Sequence, residues 1–179
     1  MNPEGADRRS SKSGFLHKQK GRIMVHIQTE RLKIRCLREE DCASLFPILS
    51  DPAVMRYIEP PFTLSKTTDF IRTAGLGHPP PVYAIVERVS QELIGHLIWH
   101  PYDDTSMELG WILKRDRQGL GYATELTRAL LEYTDRDIVI ECDVRQEITR
   151  HIAEKMRFQF MEIKGRLVIY RYKKHRAAV

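Results

Sequence analysis

Two glycines, Gly119 and Gly121, lie in a loop between a predicted strand and a predicted helix. The helix is amphipathic, with apolar side chains every three to four residues, at Ala123, Leu126, Leu130 and Tyr133. A glycine turn at a helix start leaves backbone N–H groups unpaired beside the positive end of the helix dipole, and together these favour phosphate oxygens. The segment therefore indicates a phosphate-binding loop, although glycines at such a point also serve turn geometry alone.

The loop comes close to a dinucleotide-binding fingerprint when it is written Gly119-x-Gly121-x-x-Thr124. Glu141 follows about 20 residues later, where such a fingerprint places an acidic residue. The third glycine is missing, however, and the strands before the loop are joined by turns too short for parallel crossovers. The pattern therefore argues against a dinucleotide as the ligand.

The elements that must position this loop follow from hydrophobic periodicity and turn residues. Three strands separated by short turns predict an antiparallel meander, at residues 82–89, 92–99 and 106–114. Before the meander we predict a strand near 32–37, helices near 38–49 and, capped by Ser65, up to Ala74. After the loop we predict a helix at 121–134, a strand at 138–144, a helix at 147–156 and a hairpin at 158–173.

The loop also fits the frame Gln118-x-x-Gly121-x-Ala123, and here the chain resembles the GNAT superfamily of N-acetyltransferases. Other segments are similar to the ribosomal-protein N-terminal acetyltransferase (Rim-type) branch, namely Thr29-Glu30-Arg31-Leu32-x-x-Arg35, Glu39-Glu40-Asp41, Ser50-Asp51-Pro52-x-Val54-Met55-Arg56-Tyr57, Glu108-Leu109-Gly110-Trp111, Gly121-Tyr122-Ala123-Thr124-Glu125 and Glu154-Lys155-Met156-x-Phe158. The resemblance covers about residues 27–172. It implies a single-domain α/β (α+β) GNAT fold, a mixed twisted sheet with an antiparallel meander leading into a parallel pair and about four flanking helices.

The resemblance also implies an acyltransferase that moves an acetyl group from acetyl-CoA, as co-substrate, to a primary amine by direct attack and without a metal. The residues that it assigns to acetyl-CoA are Trp111, Ile112, Leu113, Gln118, Gly119, Gly121, Tyr122, Ala123, Thr124 and Gln146. Gln146 stands where the family generally has Asn, and Arg157 where it has Gly. Arg157 must therefore either abandon a positive φ or bear strain.

The catalytic residues implied are Glu108 as general base and Thr149 as a hydroxyl that assists the departing thiolate. His96 and His100 on the adjacent predicted strand are alternative bases, and each of the three also has an ordinary structural role open to it. The acceptor cleft of this fold is expected near aromatic and acidic side chains, namely Tyr57, Glu59, Phe62, Trp99 and Tyr102.

The sequence does not select the acceptor, although it favours one class of amine. An α-amino group is about one tenth neutral at pH 7, whereas a lysine is neutral less than one time in a thousand, a difference of about 3 kcal/mol. A site without a conspicuous base therefore suits the α-amine of a protein or peptide N-terminus, with a small amine as the other possibility. Gln146, Arg157 and the doubtful base leave open a catalytically degenerate module that binds CoA as a sensor or structural partner.

Composition limits the remaining function classes. The net charge of +5 is carried by the two ends, each contributing +4, and residues 23–170 carry −3. We therefore expect a disordered basic tail at 1–22, a catalytic domain at 23–175, and no direct nucleic-acid binding. Three cysteines without a C-x-x-C pair and no apolar run near 18 residues predict a cytoplasmic protein without membrane contact. The oligomeric state stays open between a monomer and a homodimer.

Overall fold

The computed structural model describes residues 26–175, and the predicted tail at residues 1–22 lies outside them. Within this range one sheet is formed by eight strands, β1 (Ile27–Gln28), β2 (Leu32–Cys36), β3 (Val82–Glu87), β4 (Leu93–Pro101), β5 (Ser106–Leu113), β6 (Asp137–Asp143), β7 (Gln159–Lys164) and β8 (Leu167–Tyr172). Five α-helices accompany it, α1 (Cys42–Leu49), α2 (Pro52–Met55), α3 (Leu64–Phe70), α4 (Tyr122–Tyr133) and α5 (Glu147–Lys155). The helix beyond the four predicted is α2, which is only four residues long.

The predicted strand arrangement is confirmed. The strands lie in the order β1-β2-β3-β4-β5-β6-β8-β7, with β5 and β6 parallel and every other neighbouring pair antiparallel. Successive side chains of a strand point to opposite faces, so Tyr83 and Ile85 of β3 pack with α4 and α5, whereas Val82 and Ala84 pack with α1 to α3. The sheet is therefore covered by helices on both faces.

The parallel pair in the middle of the sheet is short. Residues 106–108 of β5 pair with residues 137–139 of β6. Beyond them β5 continues to Leu113 against β4, and β6 continues to Asp143 against β8. The two strands therefore diverge and leave an opening between their carboxyl ends, next to the loop that begins α4.

Local chemistry corrects two of the predicted helix starts. Thr63, and not Ser65, caps α3, since its Oγ1 accepts a hydrogen bond of 3.1 Å from the Lys66 backbone N–H. The helix predicted at 38–49 begins with a 3₁₀ turn at Glu39–Asp41 before α1. Asp41 is buried there in a bidentate pair with Arg35, at 2.6 and 2.8 Å, so it cannot act as a simple exposed acid of the first helical turn.

Arg157 adopts the left-handed backbone conformation expected of the glycine it replaces, with φ of 65°. It follows α5 in a Schellman motif, in which the N–H of Phe158 donates to Ala153 and the N–H of Arg157 to Glu154, both at 2.9 Å. The chain therefore bears the strain instead of changing the turn.

Arg157→Gly is expected to raise the free energy of unfolding by about 1 kcal/mol, because glycine occupies the left-handed region without a Cβ clash. Urea denaturation monitored by circular dichroism measures the change. Arg157→Ala removes the same charged side chain but keeps the strain, so it should leave stability within about 0.5 kcal/mol of the parent. Equal stabilisation by both variants would contradict the account.

Candidate functional site

A cleft of about 520 Å³ lies at the opening between β5 and β6. Its lining includes every residue that the resemblance assigned to the co-substrate, together with Thr149: Trp111, Ile112, Leu113, Gln118, Gly119, Gly121, Tyr122, Ala123, Thr124 and Gln146. A second cavity of about 230 Å³ adjoins it and contains Glu108. The two share Trp111 and Thr149 among their walls, and we refer to these adjoining cavities together as the path from the glycine loop to the carboxylate.

The glycine loop presents backbone N–H groups to the cleft. Gly119 and Gly121 have φ of 73° and 82°, and Gly121 is the N-cap of α4 without a side-chain cap. The first bond of the helix runs from the N–H of Glu125 to the carbonyl of Gly121, at 3.0 Å. The N–H groups of the three residues between them are therefore the unpaired donors at the positive end of the helix, which is the arrangement that binds phosphate.

The loop is held from behind by residues that the sequence reasoning did not assign to the site. Arg31 donates from Nε to Glu125 at 2.6 Å and from Nη1 to the carbonyl of Leu120 at 2.9 Å. Its guanidinium also lies 4.3 Å from the ring centre of Tyr122, and Thr29 donates to Glu125 at 2.5 Å. The sequence could have pointed to these residues, since Thr29, Arg31 and Glu125 all belong to segments that resemble the family.

The edge of β5 is available to a ligand. The Lys114 N–H donates to Ile94 of β4 at 2.7 Å, and in an antiparallel ladder such bonds alternate along the strand. The backbone groups of Leu113 and Trp111 therefore face away from β4, towards the opening. Gln118 uses its side-chain Nε2 to donate to the Leu113 carbonyl at 3.0 Å, which fixes the loop against the strand end.

The side chain of Tyr122 does not serve the cleft as a polar group. It is 7% exposed, packs in the core and donates its hydroxyl to Glu87, a bond that raises the pKa of Tyr122. Only the backbone N–H of Tyr122 therefore remains for a ligand at the loop.

The start of α5 places two polar side chains across the cleft. Gln146 accepts with Oε1 from the Asp143 N–H at 2.9 Å, and its Nε2 donors have no partner in the described part of the chain. Although the side chain of Gln146 is one methylene longer than that of the usual Asn, it still places an amide at this turn. Thr149 lines both cavities, and its hydroxyl has no hydrogen-bond partner within residues 26–175.

Glu108 lies half-buried at the far end of the path. Its Oε2 is 3.4 Å from Nε2 of His100, and burial raises the pKa of Glu108, opposed by His100 and reinforced by Glu141. Glu141 accepts a hydrogen bond of 2.6 Å from the Tyr102 hydroxyl, which raises the pKa of Tyr102 to about 12. A carboxylate whose pKa is raised towards neutrality is a better proton acceptor than an exposed one.

His96, one of the two alternative bases, is wrong for that role. It is 2% exposed beneath α3, its ring lies 5.2 Å from that of Phe70, and it lines neither cavity. Burial lowers the pKa of His96 to about 4, and its Nδ1 has no hydrogen-bond partner within the described chain. His96 is therefore a neutral core residue.

His96 makes stability fall in acid. An unfolded histidine takes up a proton near pH 6.5 whereas folded His96 does so near pH 4. The unfolded state thus binds more protons in this window, and stability is lost as pH falls from 6.5 towards 4, by up to about 1.4 kcal/mol per pH unit. Urea midpoints for His96→Leu should show a correspondingly flatter decline than the parent. His151→Gln, which alters an exposed histidine, should keep the parental slope.

The predicted acceptor residues separate into two groups. Tyr57 lines both cavities, and Arg145 lies 4.8 Å from its ring centre. Phe62 and Trp99 are core side chains instead, because the helices on either face of the sheet cover them. Glu59 and Tyr102 also line neither cavity, since Glu59 lies in an exposed ion pair and Tyr102 donates to Glu141.

Two classes of site find no support in the described part of the chain. Across residues 26–175, no three His, Cys, Asp or Glu side chains are grouped to hold a metal ion. None of the helices in that range has the length and apolar character needed to cross a membrane.

Comparison with known proteins gives consistent matches. Residues 31–159 match the family described as "Acetyltransferase (GNAT) domain". The uncharacterized N-acetyltransferase YnaD of Bacillus subtilis is 33% identical over 111 residues, which cover 61% of this chain and 65% of that protein. An acetyltransferase of the GNAT family from Bacillus anthracis has a similar structure, with a TM-score of 0.76, 23% identity, and coverage of 83% of this chain and 98% of that one. RimL, a ribosomal L7/L12 α-N-protein acetyltransferase solved with coenzyme A, is also similar in structure. Its TM-score is 0.69 at 18% identity, and the match covers 82% of this chain and 96% of that one.

Proposed function

The chain belongs to the GNAT acetyltransferase family, and from that premise we propose that it transfers the acetyl group of acetyl-CoA directly to a primary amine. The observation that carries the proposal is that the two adjoining cavities extend from the uncapped glycine loop to the half-buried Glu108. Phosphates and an acetyl group belong at opposite ends of one extended molecule, and acetyl-CoA is the co-substrate of this family. The glycine loop offers backbone donors to the phosphates, and Glu108 offers a base beside the acetyl group.

We assign the phosphate end to the backbone of the glycine loop. The N–H groups of residues 122–124 supply donors to the pyrophosphate, and the positive φ of Gly119 and Gly121 turns them towards it. The free edge of β5 offers backbone groups to the amides of the pantetheine arm. In this assignment the Leu113 N–H donates to the thioester carbonyl and stabilises the oxyanion that develops there.

The amine end is assigned to Glu108, Thr149 and Gln146. Glu108 removes a proton from the incoming amine, directly or through a water molecule. Thr149, whose hydroxyl has no partner among residues 26–175, donates to the departing thiolate, and the Nε2 of Gln146, which makes no hydrogen bond within the same residues, lines the same path. A thiol with an ordinary pKa of about 8.5 needs little more assistance to leave.

We propose an α-amine as the acceptor, in keeping with the Rim-type segments at residues 29–35 and 50–57. One half-buried carboxylate is a modest base, which suits an amine that is already partly neutral at pH 7 better than a lysine. Glu108 and Glu141 give the end of the path an acidic character that attracts a cationic ammonium group.

A turnover screen tests the proposal. CoA release would be followed with acetyl-CoA and three acceptors: peptides with free N-termini, the same peptides N-acetylated but bearing lysine, and spermidine. We expect at least tenfold higher kcat/KM for the free N-termini. Preference for the lysine peptides or for spermidine would overturn the acceptor assignment alone. Tight acetyl-CoA binding with no turnover across the panel would instead favour the sensor module.

A further inference from the structure

The ring of His100 is oriented by a backbone carbonyl. Its Nδ1 lies 3.0 Å from the carbonyl oxygen of Pro101, and a carbonyl can only accept a hydrogen bond. Nδ1 must therefore carry a proton. In the neutral imidazole the other nitrogen, Nε2, then holds a lone pair.

That lone pair faces a second acceptor. Nε2 of His100 lies 3.4 Å from Oε2 of Glu108. An unprotonated nitrogen and a carboxylate oxygen repel each other at this distance, and one added proton between them removes the repulsion. The pair is thus built to take up a single proton, on Oε2 or on Nε2.

We propose that Glu108 and His100 act as one proton-accepting pair, in which Glu108 takes the proton of the acceptor amine and passes it to Nε2 of His100. The inference rests on the proposed acetyltransferase function. In the first step the N–H bond of the ammonium breaks and an O–H bond forms on Glu108. In the second that O–H bond breaks, an N–H bond forms on His100, and Glu108 is again a carboxylate. The imidazolium then releases the proton to water, since about a third of the His100 side chain is exposed.

The groups around the pair favour this direction of transfer. Glu141 approaches from β6 as a second negative charge, and it in turn accepts from Tyr102 of the turn after β4. Arg171 of β8 is occupied by Asp103 at 2.5 Å and by Asp137. The acidic neighbours thus stabilise an imidazolium beside Glu108. An imidazole is ordinarily a stronger base than a carboxylate, so the proton moves from Glu108 to the ring.

The tautomer can be tested on the unmodified protein without any turnover. A ¹H–¹⁵N correlation spectrum of ¹⁵N-histidine-labelled protein at pH 8 should show His100 protonated on Nδ1 and bare on Nε2, with the assignment made from His100→Gln. An Nε2-protonated ring would overturn the proposal whatever the acceptor proves to be. Failure of the turnover screen would not change the tautomer result, so the proposed acetyltransferase function and the Glu108–His100 pair can be disproved independently.

The pH profile tests the proton transfer. With the best acceptor from the screen, His100→Gln should move the acid limb of kcat/KM to lower pH, because the proton then rests on a carboxylate alone and a carboxylate is ordinarily a weaker base than an imidazole. The plateau of kcat/KM should also be lower in His100→Gln than in the parent, while the Kd for acetyl-CoA stays within twofold of the parental value. His26→Gln, at an exposed histidine away from both cavities, should reproduce the parental profile.

A double-mutant cycle separates transfer through Glu108 from a structural role. In the Glu108→Gln background, His100→Gln should change kcat by less than twofold, because the proton no longer reaches the imidazole. Additive losses, or a His100→Gln profile with the parental acid limb, would overturn the proposal.

Discussion

Replacement of Glu108 by glutamine is expected to lower kcat by about 100- to 1,000-fold, the usual loss when a positioned general base is removed. Glutamine has nearly the same shape and can still fill the cavity, but its amide cannot accept the proton of an ammonium group. The Kd for acetyl-CoA should stay within twofold of the parent, because Glu108 lies at the opposite end of the path from the glycine loop.

Steady-state kinetics at saturating acceptor and calorimetric titration with acetyl-CoA measure the two quantities separately. Glu132→Gln is the matched control, since it makes the same chemical change on the exposed face of α4 and should leave kcat unaltered. A Glu108→Gln enzyme that keeps more than a third of its kcat would show that another group or solvent takes the proton.

Gly121→Val is expected to raise the Kd for acetyl-CoA by about 30- to 100-fold. A β-branched residue resists the φ of 82° at this position, so the loop should relax and turn its N–H groups away from the phosphates. Loss of one charge-assisted hydrogen bond costs about 1.5–3 kcal/mol, which alone accounts for most of the change.

The hairpin between β7 and β8 offers a control for backbone strain. Gly165 has φ of 61°, and a Cβ placed on it meets no atom within 4 Å. Gly165→Val should therefore lower stability about as much as Gly121→Val, by about 1–2 kcal/mol, while the Kd for acetyl-CoA stays unchanged. Similar binding losses in both variants would mean that the Gly121 effect is one of general destabilisation.

The fold could be predicted from sequence wherever a short-range rule decided the outcome. The turns between β3, β4 and β5 are too short for any connection but an antiparallel one, and Gly119 and Gly121 mark the loop by their need for positive φ. What these rules share is that each involves residues adjacent in the chain. Arg157 is a different case, because only the resemblance to the family indicates that a glycine generally stands at this turn.

Contacts between distant segments could not be read in the same way. His96 and His100 lie on the same face of β4, and nothing in their spacing says that α3 covers only the first of them. Arg31 meets Glu125 across 94 positions of the chain, through a pairing that depends on how α4 crosses the sheet. Such roles are decided by tertiary packing, which hydrophobic periodicity and secondary-structure propensity do not describe.

The ladder between β5 and β6 is so short that hydrogen bonds connect the two parts of the sheet over only three residue pairs. Three residues on each side join a five-strand part to a three-strand part, and past them the edges of both are unfilled. A pantetheine arm with its amides against β5 would act as a short extra strand laid into that seam. The co-substrate would then supply, where the two strands diverge, the segment of sheet that the polypeptide leaves out.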